Sequence, residues 1–134
     1  MGGRCRRISI FLSVIDVHVQ KAPVSGAVSL LEHRPGKFLS ATKSHSAEHN
    51  ESVLLGIIPR EWPQERFALR LIAGLIARRI LPWVAVGETV DRGDRISLIQ
   101  FGSRVDLYLP QSAEVRVKLG DKVRGGETIV AMMP

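Results

Sequence analysis

The chain has 134 residues, 45% of them hydrophobic and 24% charged, which suits one compact core rather than several large domains. Nineteen Lys and Arg against 13 Asp and Glu give a net charge of +6, a balance that favours an anionic partner such as an acidic lipid surface, or else belongs to an ordinary solvated basic surface. An aromatic share of 5% argues against a platform for stacking nucleic-acid bases, and a single cysteine, Cys5, excludes an internal disulfide and a metal site built from several thiolates.

In chain order, Met1-Gly2-Gly3-Arg4 leads straight into a strand-like run, without the apolar core of a signal peptide. Residues 7–13 (Arg-Ile-Ser-Ile-Phe-Leu-Ser) are β-rich and alternate, which predicts a strand. Asp16-Val17-His18-Val19-Gln20 alternates again and puts Asp16, His18 and Gln20 on one face. Pro23 and Gly26 break that run, residues 27–31 predict a short strand, and His33-Arg34-Pro35-Gly36 reads as a turn. The polar stretch 40–52, with His45, His49, Asn50 and Glu51, reads as an ordered loop. Residues 53–58 predict a strand ended by Pro59, and 61–64 a connector.

Residues 67–86 form the most apolar stretch, open to a helical or a stranded reading; Gly74 and Pro82 favour strands. Arg70, Arg78 and Arg79 argue against a membrane span, since each would cost about 2.5–3.5 kcal/mol at the bilayer centre. The last third holds a repeat. Residues 87–96 (Gly-Glu-Thr-Val-Asp-Arg-Gly-Asp-Arg-Ile) line up with 120–129 (Gly-Asp-Lys-Val-Arg-Gly-Gly-Glu-Thr-Ile) as Gly, acid, any, Val, two residues, Gly, acid, any, Ile. The glycines suit positive φ at tight turns, and the Val and Ile positions suit a core. A duplicated hairpin of this kind resembles the halves of biotinyl and lipoyl domains. The fold expected is therefore mainly β, a barrel-sandwich hybrid with short connecting helix or loops, forming one domain over 1–134.

Between the two repeat units lies Ile99-Gln100-Phe101-Gly102-Ser103-Arg104-Val105-Asp106-Leu107-Tyr108-Leu109-Pro110. A Gly-Ser pair inside a strand is, on its own, a bulge or a bend. Its company changes that reading. Phe11-Leu-Ser-Val-Ile-Asp-Val-His-Val-Gln-Lys-Ala-Pro-Val-Ser-Gly26, Pro35-Gly-Lys-Phe-Leu39, Glu48-His-Asn-Glu51, Ile72-Ala-Gly-Leu-Ile-Ala-Arg-Arg-Ile80 and Phe101-Gly-Ser-Arg-Val-Asp-Leu-Tyr-Leu-Pro110 together resemble, in the same order, the short bacterial-type phosphatidylserine decarboxylases. The family's upstream anchor and Ser-Pro-Ala-Asp-Gly-type segment do not precede Arg7, so the resemblance reads the chain as an N-terminally shortened member.

The resemblance implies a pyruvoyl enzyme made by self-cleavage. The Ser103 hydroxyl attacks the Gly102 carbonyl, whose lack of a side chain leaves it uncrowded, and the acyl group moves from nitrogen to oxygen. Elimination of the ester frees the 1–102 part (the family's β chain) and leaves dehydroalanine at the head of the 103–134 part (its α chain). Hydrolysis then gives the pyruvoyl group and ammonia. Such a carbonyl accepts the electrons left by decarboxylation, which no ordinary side chain can do. His18 matches the family's general acid or base, a role that imidazole suits near neutral pH, and Asp16 shares its strand face. The bland alternative for both is the wet face of an edge strand. Lys21 stands where longer members carry a second His. It would act as a base only if desolvated, and otherwise meets solvent or phosphate.

Arg104 is the candidate for a phosphate or carboxylate of the lipid head group, which a guanidinium grips bidentately; Arg78 and Arg79 could do likewise. His45 and His49 are four apart but lack acidic or Cys partners, so no metal is expected. The implied activity converts phosphatidylserine to phosphatidylethanolamine and CO2 on the cytoplasmic face of the bacterial membrane. The implied partners are an anionic membrane surface and the two cleaved chains held together; association of further copies is compatible with this, and no nucleic acid is expected. The residues alone also admit a carrier or binding module of the biotinyl or lipoyl kind, although no Lys sits at a hairpin tip, as well as a basic nucleic-acid module or an inactive fragment of a decarboxylase.

Overall fold

The computed structural model describes residues 5–12, 19–34, 51–73, 80–99, 103–118, 121 and 130–133. Eleven strands make up the regular structure of these residues: β1 Cys5–Leu12, β2 Val19–Lys21, β3 Gly26–Arg34, β4 Ser52–Pro59, β5 Phe67–Ile72, β6 Ile80–Pro82, β7 Thr89–Val90, β8 Arg95–Ile99, β9 Ser103–Pro110, β10 Glu114–Val115 and β11 Ala131–Met132. Among the described residues there is no helix, and so none long and apolar enough to cross a membrane. The stretch that could have been a helix, 67–86, holds a strand in each of its two described parts, β5 and β6.

Six strands form an antiparallel sheet in the order β1-β9-β5-β4-β3-β7, three form a second in the order β2-β8-β6, and β10 pairs with β11. Alternation explains the main sheet. Val53, Leu55 and Ile57 on β4 face Leu71, Leu69 and Phe67 on β5, and Leu71 and Leu69 in turn face Val105 and Leu107 on β9. These side chains share one apolar core with Ile80, Ile96 and Ile99 of the smaller sheet, which makes the arrangement sandwich-like.

Two expectations change in detail. His33 and Arg34 do not turn. They continue β3 opposite Val53 and Ser52, because an available ladder on β4 outweighs local turn propensity. A cross-strand contact of 3.0 Å between His33 Nε2 and Glu51 Oε2 ties that end together. Pro35, which has no N–H to donate, follows the strand's last residue.

The first repeat unit is also not a closed hairpin. Its β7 pairs with β3 and its β8 pairs with β2 and β6, so the turn carries the chain from one sheet to the other. The glycine expectation holds there: Gly87 and Gly93 have φ of 96° and 92°, while Val90 and Ile96 are buried. Most of the second unit lies outside the described residues. Where it is described, its first turn matches the first unit: the Asp121 N–H donates to the Lys118 carbonyl at 3.0 Å, as the Glu88 N–H does to the Ala85 carbonyl at 3.1 Å.

Candidate active site

The geometry around the Gly-Ser pair is set by two strand pairings. Ser103 is the first residue of β9 and lies opposite Leu12, the last residue of β1. The next described strand begins at Val19, which pairs with Leu98 on β8; β8 ends at Ile99, and the next described strand begins at Ser103. Segments 13–18 and 100–102 therefore connect the same two sheets, starting or ending on paired strands at both sides. One carries Asp16 and His18, the other Gly102.

Asp16, His18 and Gly102 themselves lie outside the described residues, as do Arg78, Arg79, His45 and His49; of Ser103 only the backbone pairing is described. The face that alternation assigns to Asp16, His18 and Gln20 is buried at Gln20, whose side-chain oxygen accepts a 2.8 Å hydrogen bond from the buried Ser97 hydroxyl. At that position the face is not the wet side of an edge strand. Lys21 follows a register shift in β2 and is exposed.

Arg104 sits differently from a free anion-binding residue. It is 5% exposed, and its Nη2 donates to Asp106 Oδ2 at 3.0 Å. Its Nε lies 3.0 Å from Oδ1 in an ion pair whose N–H is off axis, so both atoms lack a hydrogen bond. Asp106 is 0% exposed. A lipid phosphate reaching Arg104 would have to compete with this carboxylate. Across the ladder Arg70 stands opposite Asp106 with its own Nε buried and unbonded, and Phe11 stands opposite Arg104 with its ring centroid 5.8 Å from the guanidinium carbon.

Asp106 and Arg70 are not among the site residues that the sequence suggests. The signal was available in Arg104-Val105-Asp106, where spacing by two on a strand puts opposite charges on one face. Near Arg70 a shallow recess is lined by Glu32, Arg34, Ser52 and Leu54. Among the described residues no group of three or more His, Cys, Asp or Glu could hold a metal ion.

Comparison with known proteins agrees with this reading. The family model described as phosphatidylserine decarboxylase matches residues 3–131. The phosphatidylserine decarboxylase proenzyme of Desulfotalea psychrophila is 47% identical over 131 residues, covering 98% of this chain and 60% of the relative. That of Symbiobacterium thermophilum is 45% identical over 134 residues, covering 100% and 61%, and that of Anaplasma phagocytophilum 42% over 130 residues, covering 97% and 57%. The chain thus spans about three fifths of the length of these relatives. No solved structure gives a significant match. With the family model covering nearly the whole chain and relatives of 42–47% identity along it, the chain belongs to the phosphatidylserine decarboxylase family.

Proposed function

We propose that this chain is the catalytic body of a pyruvoyl-dependent decarboxylase that converts phosphatidylserine to phosphatidylethanolamine and CO2 at the cytoplasmic face of a bacterial membrane. The observation that carries the proposal is the pairing of Leu12 with Ser103 on one side and of Val19 with Leu98 on the other, so that the segments bearing Asp16, His18 and Gly102 both run between the same two pairs of strands.

The fold suits a covalent group at residue 103. After a cut ahead of Ser103, β9 would remain an inner strand between β1 and β5, with Ser103 paired to Leu12 and the next residue, Arg104, paired on both sides. When formed, the pyruvoyl carbonyl supplies the electron sink that amino-acid side chains lack. The roles proposed for the protein's own residues are separate. The Ser103 hydroxyl is the nucleophile of self-cleavage, and Gly102 offers it an uncrowded carbonyl carbon. His18 delivers a proton to the substrate α-carbon once CO2 has left, and Asp16 orients it. Lys21, exposed at the end of β2, meets the anionic head group or the lipid surface. Arg104 reaches the head group only if it exchanges Asp106 for it.

The test supplies the full-length polypeptide with vesicles containing phosphatidylserine and follows released CO2 and newly formed phosphatidylethanolamine. Wild type is expected to release both. Ser103→Ala is expected to release neither, and His18→Ala to mature but turn over slower by a factor of about 100 to 10,000. Phosphatidylserine left intact by the wild type, or full activity in Ser103→Ala, would overturn the proposal.

A further inference from the structure

Building on the proposed self-cleavage, we infer that Arg104 and Asp106 are positioning residues: their buried pair holds residue 103 in the geometry that the cleavage needs. Ser103 is the first residue of β9 and pairs with Leu12 on the β1 side; the next residue, Arg104, has ladder partners on both sides, Phe11 and Ile72. The acyl shift requires the residue 103 hydroxyl to stay on the preceding carbonyl carbon, so displacement of residue 103 would remove reactive conformers.

What opposes such displacement is the arrangement at residues 104 and 106. Asp106 has ladder partners on both sides, Ser9 and Arg70, and its carboxylate holds the Arg104 guanidinium one step from the cut. Phe11, opposite Arg104, covers that guanidinium and ties it to the strand that leads toward Asp16 and His18. Both charges are almost fully removed from water. Apolar side chains of similar volume would often stabilise a fold as well or better, so stability alone gives no reason to place a buried ion pair here. A requirement for fixed orientation does.

The test is built on that difference. In the full-length polypeptide, Arg104→Met combined with Asp106→Leu replaces the pair with apolar groups; it should unfold within a few degrees of wild type, yet cut itself about a hundredfold more slowly, as for a reacting group displaced by about an ångström. Arg104→Lys keeps the charge but loses the planar fork, and should slow cutting about tenfold. Once matured, both variants should show a lowered kcat with KM for phosphatidylserine vesicles unchanged. A head-group contact by Arg104 would instead leave cutting intact and raise KM.

A folded double variant that cuts at the wild-type rate overturns the inference. If the double variant does not fold, Arg104→Lys decides, and a wild-type cutting rate there overturns it equally. Failure of the underlying reading looks different: the wild type stays whole, or Ser103→Ala is still cut at the same bond, and the positioning role then falls with it.

Discussion

The two faces of β9 are built on opposite principles. Val105, Leu107 and Leu109 enter the apolar core, where contact area is what counts and shape can be adjusted. Arg104 and Asp106, interleaved with them, are as deeply buried, but each is tolerable only because of the other. The apolar face stabilises the strand; the charged face specifies where its first residue lies. The strand that begins at the candidate cleavage bond carries both devices within six residues.

This contrast can be broken from either side. The largest effect is expected for Asp106→Leu alone, which strands the Arg104 guanidinium without a counter-charge and should lower unfolding free energy by about 4 kcal/mol in urea titrations. Next comes Leu107→Ala on the opposite face, which leaves a cavity and should cost about 3 kcal/mol by the same measurement. Its cutting rate, measured where the variant is folded, should stay near that of wild type, because no group holding residue 103 is lost. The smallest effect is expected for Arg60→Ala. Its 3.4 Å pair with Asp91 has side chains 59% and 73% exposed, and removing it should change stability by less than about 0.5 kcal/mol. If Asp106→Leu proved as mild as Arg60→Ala, the buried pair would not be the constraint that its burial implies.

Much of this architecture was legible because alternation and punctuation act locally. The strand over residues 7–13 follows from alternation and β-rich composition, the one over 53–58 from an apolar run ended by Pro59, and the turn glycines Gly87 and Gly93 from their place in the repeat. What escaped depends on partners distant in sequence. Nothing in His33-Arg34 announces that β4 offers two more ladder positions. Nothing in residues 89–96 says that β7 will join β3 while β8 joins β2. The candidate site divides the same way. Ser103, Gly102, His18 and Asp16 were reached through resemblance, and the strand pairings bracket the segments that carry them. The Arg104 partner in the fold depends on which charges share a strand face: Asp106, two residues on, pairs with its guanidinium, a contact that the sequence does not by itself announce.

Every proposed step follows a cut ahead of residue 103, and the mass of the mature full-length protein tests that cut most directly. Two chains divided between Gly102 and Ser103 are expected, with the C-terminal one blocked to N-terminal sequencing and reactive toward a carbonyl reagent, and a single uncut chain for Ser103→Ala. A wild-type protein recovered as one continuous polypeptide, with an unmodified serine at 103, would contradict it.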